Sequence, residues 1–75
     1  MIKELFDVVN QELVDNKLQH VQVLFRLWNG QKAMKFVSVD TPVYKEKIKA
    51  IASKYNKDLY LVDESKTTLT YKIHI

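Results

Sequence analysis

Two alternating runs meet at Asn29-Gly30, and that junction limits what the chain can fold into more than any other feature. Val21 to Trp28 reads V-Q-V-L-F-R-L-W, and Gln31 to Val39 reads Q-K-A-M-K-F-V-S-V. A two-residue hairpin turn of type I′ needs positive φ at both central residues, and Asn-Gly meets that need at the least steric cost. The turn pairs Trp28 with Gln31, Phe25 with Met34 and Val23 with Phe36. Val21 and Leu27 share their side. Apolar residues then coincide on both strands, which predicts that this side faces the core, with Phe25 and Phe36 both inside it.

The rest of the chain falls into three further segments. Over residues 2–16, Ile2, Leu5, Phe6, Val9 and Leu13 recur at helical spacing, and Asn16 offers a left-handed stop. Thr41 is suited to cap a second helix, with Pro42 at its first position and Tyr44, Ile48, Ile51 and Tyr55 as its apolar stripe. Asn56 offers a second stop. Leu59 to Val62 and Thr68 to Ile75 then alternate around a polar connection near Glu64-Ser65-Lys66. A three-residue loop there sets Leu61 opposite Leu69 and Leu59 opposite Tyr71, with Ile73 and Ile75 continuing the core side. An even-length loop would put Leu61 opposite Thr68.

The expected fold is therefore α+β, helix-hairpin-helix-hairpin (αββαββ), with a four-stranded, mainly antiparallel sheet and two helices packed on one face. Residues 1–75 form a single compact domain. The stripes at 2, 6, 9, 13 and 44, 48, 51, 55, and the repeated Asn-Lys at 16–17 and 56–57, fit an αββ pseudo-repeat over 2–39 and 42–75. Ordinary amphipathic spacing produces the same pattern.

At 75 residues such a domain buries roughly 60% of its unfolded surface, so its core is thin. Without cysteine, neither disulfides nor a thiolate metal site can supplement it. No apolar run approaches the roughly 18 residues of a membrane span, and the first residues are amphipathic rather than basic and then apolar. A cytoplasmic location with no membrane partner is the expectation.

Charge is uneven along the chain. Residues 1–40 are balanced, and the whole excess of +3 lies in residues 41–75. Lys45, Lys47, Lys49, Lys54 and Lys57 crowd the second helix and its exit against a single Glu46. Such a bias suits nucleic acid or an acidic protein, and equally a solvated helix face.

The side of the sheet opposite the core carries the candidate site. His20, Gln22, Leu24, Arg26 and Trp28 fall there from the first strand, and Ala33, Lys35, Val37 and Val39 from the second. Asp58, Tyr60 and Val62 come from the third, and Thr68, Thr70, Lys72 and His74 from the last. A face open only to water should be mostly polar, whereas Leu24, Trp28, Val37, Val39, Tyr60 and Val62 make this one partly apolar. Strand propensity explains some of the Val and Tyr. Trp28 beside Leu24 is better explained by a contact. Leu24, Arg26, Trp28, Lys35, Val37, Tyr60 and Val62 are the predicted partner-binding residues.

Catalytic constellations are lacking. Gly30, the sole glycine, is used by the hairpin, which excludes a glycine-rich phosphate loop and a serine elbow. His20 and His74 fall short of a metal set, and would approach each other only if the first and last strands were neighbours. No enzyme activity, metal or cofactor is expected. The predicted function is a protein-binding module, an inhibitor or adaptor acting through the outer sheet face or an edge strand. Size and composition suit an accessory protein of a phage or mobile element. Self-association as a homodimer through the outer face is one option, and the acidic first helix of one copy against the basic second helix of another is a separate one. The alternative is nucleic-acid binding through Arg26, Trp28, Lys35 and Lys72 on the sheet, or Lys45, Lys49 and Lys54 on the second helix.

Overall fold

The computed structural model describes residues 2–74, for Ile2 the backbone alone. Met1, Ile75 and the predicted core roles of the Ile2 and Ile75 side chains lie outside the described residues. The elements run α1 (Ile2–Asp15), β1 (Gln22–Trp28), β2 (Gln31–Val37), α2 (Pro42–Ser53), β3 (Leu59–Glu64) and β4 (Thr68–Ile73). All neighbouring strands are antiparallel, in the order β1-β2-β4-β3. The architecture is α+β.

Asn29 and Gly30 adopt φ of 49° and 79°. The register is the one the turn dictates: Trp28 opposite Gln31, Phe25 opposite Met34, Val23 opposite Phe36. Thr41 caps α2 as its side chain predicts, its Oγ1 accepting the Tyr44 N–H at 3.2 Å, with Pro42 just inside the helix.

Helix α1 stops one residue later than Asn16 implied. Lys17 takes the left-handed conformation, at φ 59°. Its N–H donates to the Val14 carbonyl, and the Leu18 N–H reaches back to the Leu13 carbonyl at 2.7 Å. This is the double closure of a Schellman motif, sealed by Leu13 and Leu18, both buried. Asn16 instead donates from its amide to the Glu12 carbonyl. Helix α2 ends at Ser53, short of Asn56, and unwinds through turns in which the Tyr55 carbonyl accepts from Asp58 and Leu59.

Three strand expectations are corrected. Val39 is fully buried rather than on the outer face. Ser38 has φ 75°, and the N–H groups of Ser38 and Val39 both donate to the Thr67 carbonyl, so an extra residue is absorbed and the side-chain alternation flips. In the second hairpin, Leu61 faces Tyr71 and Leu59 faces Ile73, two residues from the expected pairing. The Ser65 N–H donates to the Thr68 carbonyl, which leaves only Lys66 and Thr67 outside the ladder, while an irregularity between Leu61 and Asp63 absorbs Val62 and restores the apolar match. An even loop and a bulge together achieve what an odd loop alone was expected to do.

Third, the core face is unevenly covered. Leu5, Val9, Leu13, Ile48, Ile51 and Ala52 from the helices share one buried cluster with Met34, Phe36, Leu69, Tyr71, Ile73 and Leu59. Phe25 and Leu27, on that same side of β1, remain 43% and 70% exposed. Lying at the turn end of an outer strand, they fall outside this cluster.

Phe36→Ala should therefore cost about 3–5 kcal/mol, a large share of what a small domain possesses. Phe25→Ala should cost only about 1–2 kcal/mol, since nearly half of its surface is already wet. Chemical denaturation of both variants checks the difference.

Burial raises the Tyr71 phenol to about 12. The neutral form is favoured in the folded state, so its contribution is complete below the ordinary value near pH 10 and is lost as pH rises towards 12. Tyr71→Phe should remove up to about 2 kcal/mol of that alkaline loss, measured as denaturation midpoints between pH 9 and 12.

Candidate binding face of the sheet

Alternation from the Asn29-Gly30 turn puts Leu24, Arg26 and Trp28 on the side of β1 away from the core, with Lys35 and Val37 beside them on β2. Strand pairing then extends this face in transverse rows. One row runs Arg26, Ala33, Lys72, Tyr60, and the next Leu24, Lys35, Thr70, Asp63. Ala33 and Thr70, on the two central strands, are buried although they belong to the outer side. In its row Ala33 lies between Arg26 and Lys72, and Thr70 between Lys35 and Asp63.

A shallow trough crosses the sheet from Trp28 on β1 to Tyr60 and Val62 on β3, with Gln31, Lys72 and His74 between. Trp28 and Val62 are half-buried, and Tyr60 is exposed. The Tyr60 and His74 rings meet edge to face, with centroids 5.9 Å apart. All seven predicted partner-binding residues thus lie on or beside one continuous surface. Leu24 and Val37 are half-buried within it. His74 and Gln31 were not among those seven. The T-L-T-Y-K-I-H-I alternation assigns His74 to this face, but its place against Tyr60 depends on β3 lying next to β4.

Three of the lysines on α2 and at its exit are held by carboxylates. Lys45 Nζ lies 3.2 Å from Glu64 Oε2 and donates to the Ser65 carbonyl at 2.6 Å, while Lys49 Nζ lies 3.2 Å from Glu64 Oε1. Lys54 Nζ lies 2.6 Å from Glu12 Oε2. Glu64 pairs with Leu69 and so belongs to the core side of the sheet, away from Arg26, Lys35 and Lys72. Of the two surfaces offered for nucleic acid, the helix surface thus has Lys45, Lys49 and Lys54 each beside a carboxylate. The acidic α1 and the basic exit of α2 meet within one chain, through Glu12 and Lys54. Arg26, Lys35 and Lys72 have no acidic partner within 4 Å among the described residues.

His20 precedes β1 and packs on Tyr44 of α2, with ring centroids 4.7 Å apart, so it is not part of the outer face. β2 separates β1 from β4, which keeps the first and last strands from being neighbours. Among the described residues no group of three or more His, Asp or Glu could hold a metal ion, and no helix is long and apolar enough to cross a membrane. Comparison with protein-family models, curated proteins and solved structures finds no match.

The Lys49 and Lys45 ammonium groups hold the Glu64 carboxyl below its ordinary value, and the hydrogen bond to Glu12 raises the Lys54 ammonium. A depressed carboxyl contributes stability above the unfolded value, about 4.3, and loses it as pH falls through the folded one. NMR titration of the Glu64 side chain should give a midpoint below about 4.3, and Lys49→Met should move it back upward.

Proposed function

We propose that this chain is a non-enzymatic protein-binding module, an inhibitor or adaptor, whose outer sheet face receives an acidic surface of another protein. In this reading both helices sit on the core face, as in two αββ halves joined at β2 and β4, and leave the opposite face for the partner. The observation that carries the proposal is the set of Arg26, Lys35 and Lys72, without an acidic partner among the described residues, beside a trough walled by Trp28, Tyr60 and Val62. Cations without carboxylates call for an anionic ligand, and aromatic walls beside them supply the anchors that dominate protein interfaces.

Two features favour protein over nucleic acid. Leu24, Val37 and Val62 add apolar area that a phosphate backbone does not use. Trp28 is half-buried, which leaves Tyr60 as the one exposed aromatic of the trough, whereas a single-strand platform stacks successive bases on several rings.

The test has two arms. Two-dimensional NMR of labelled protein with single- and double-stranded oligonucleotides, at about 50 and 200 mM salt, should show no salt-sensitive shifts on the outer face. Shifts at Arg26, Trp28, Lys35 and Tyr60 that fade with salt would replace this reading with nucleic-acid binding. In affinity capture, a protein retained by the wild type should be lost with Lys72→Glu and with Tyr60→Ala. Equal retention by both variants would rule out this face.

A further inference from the structure

β1 and β3 are the two edges of the sheet, and they are built differently. β3 carries the irregularity at Val62 and two acidic residues, Asp63 and Glu64, the features by which natural sheets discourage strand addition. β1 has none of them. It runs seven residues, QVLFRLW, with neither bulge nor proline and with one charge, Arg26.

The ladder determines what that edge offers. A two-residue hairpin exchanges both hydrogen bonds at its closing pair, Trp28 and Gln31, and at every second pair beyond it. Gln22, Leu24, Arg26 and Trp28 are thus bonded to β2, while the N–H and C=O groups of Val23, Phe25 and Leu27 point away from the sheet. The Phe25 carbonyl accepts only a long contact, 3.4 Å, from the side chain of its neighbour Arg26. The side chains beside these free groups are the incompletely covered ones, Phe25 at 43% and Leu27 at 70% exposure.

We propose that β1 pairs antiparallel with β1 of a second copy, joining two four-stranded sheets into one of eight strands. The two-fold register centred on Phe25 carries the choice of occupant. It sets Phe25 opposite Phe25 of the second copy and Val23 opposite Leu27, so every outward N–H and C=O of the strand finds a partner. Exposed Phe25 and Leu27 gather into one apolar strip on the core side. On the outer side Arg26 falls opposite Leu24, and the strand's only charge never faces its own copy. Shifting the centre to Arg26 would set like charges directly opposite each other, which disfavours that register. Two-fold pairing of identical patches is the commonest form of protein assembly. The pairing leaves the trough between Trp28 and Tyr60 outside the strand-to-strand contact, so it does not depend on the partner proposed above.

Sedimentation velocity of the full chain over a wide concentration range tests the proposal. The mass should rise from one chain to two, and Leu27→Lys should move that transition to at least about tenfold higher concentration, since it sets a charge against Val23 of the second copy at both ends of the apolar strip. Leu27 is exposed, so circular dichroism should show this variant folded. Tyr60→Lys, on the opposite edge, should leave the transition unmoved. The register is read separately: Phe25→Cys, then the sole thiol of the chain, should form a disulfide dimer with an added mild oxidant, and Tyr60→Cys should not. A single-chain mass throughout would overturn the proposal, as would equal crosslinking of the two cysteine variants.

Discussion

The pairing of β2 with β4 is the interaction on which the rest of this structure depends. β1 reaches the sheet only through β2, and β3 only through β4, so no other ladder joins the first half of the chain to the second. Its residues also form the floor of the core: Met34 lies against Tyr71, and Phe36 against Leu69. Phe36 and Tyr71 meet edge to face, with ring centroids 5.7 Å apart. At one end of the ladder the Thr67 carbonyl takes the N–H groups of both Ser38 and Val39. That single acceptor turns Val39 inward and fixes the direction in which the chain leaves for α2. The Lys54–Glu12 ion pair is a minor supplement, being exposed to solvent.

Features determined by neighbours in sequence were legible before the structure. Asn29-Gly30 prescribed its own turn and the register of fourteen residues followed, because side-chain alternation leaves no freedom once the closing pair is set. Thr41-Pro42 announced a helix start for equally local reasons. Departures arose where a distant group intervened. Ser38 is left-handed because Thr67 offers one carbonyl to two donors, and nothing within a few residues of Ser38 signals that. The Val62 irregularity likewise reconciles a short connection with the match of Leu61 to Tyr71, a compromise between local turn and remote core. Phe25 was read as core because its ladder position is a core position. Whether a helix extends far enough to cover that position is a property of the tertiary fold.

The same division runs through the candidate site. Alternation alone grouped Leu24, Arg26 and Trp28, and likewise Lys35 with Val37. Counting lysines singled out α2, yet Lys45 and Lys49 converge on Glu64 from across the fold, and Lys54 on Glu12. Composition reports how many charges a segment has, while spatial pairing decides which remain to act on a ligand. By that measure Lys47 and Lys57 remain without an ion pair among the described residues on and after α2, as do Arg26, Lys35 and Lys72 on the sheet, where dispersal in sequence makes them inconspicuous.

The strand order also has a kinetic side. β1 and β2 can zip from their turn after closing a loop of two residues, and β3 and β4 have nearly as little to close. The β2–β4 ladder must instead bring together segments separated by α2 and all of β3, at a larger cost in chain entropy. Until it forms, each hairpin has two bare strands and neither helix has a complete surface to cover. A chain with both hairpins formed and this ladder open would expose more unpaired strand edge and uncovered apolar surface than the native sheet does. How fast that final step runs, relative to encounters with other chains during synthesis, governs the yield of folded protein.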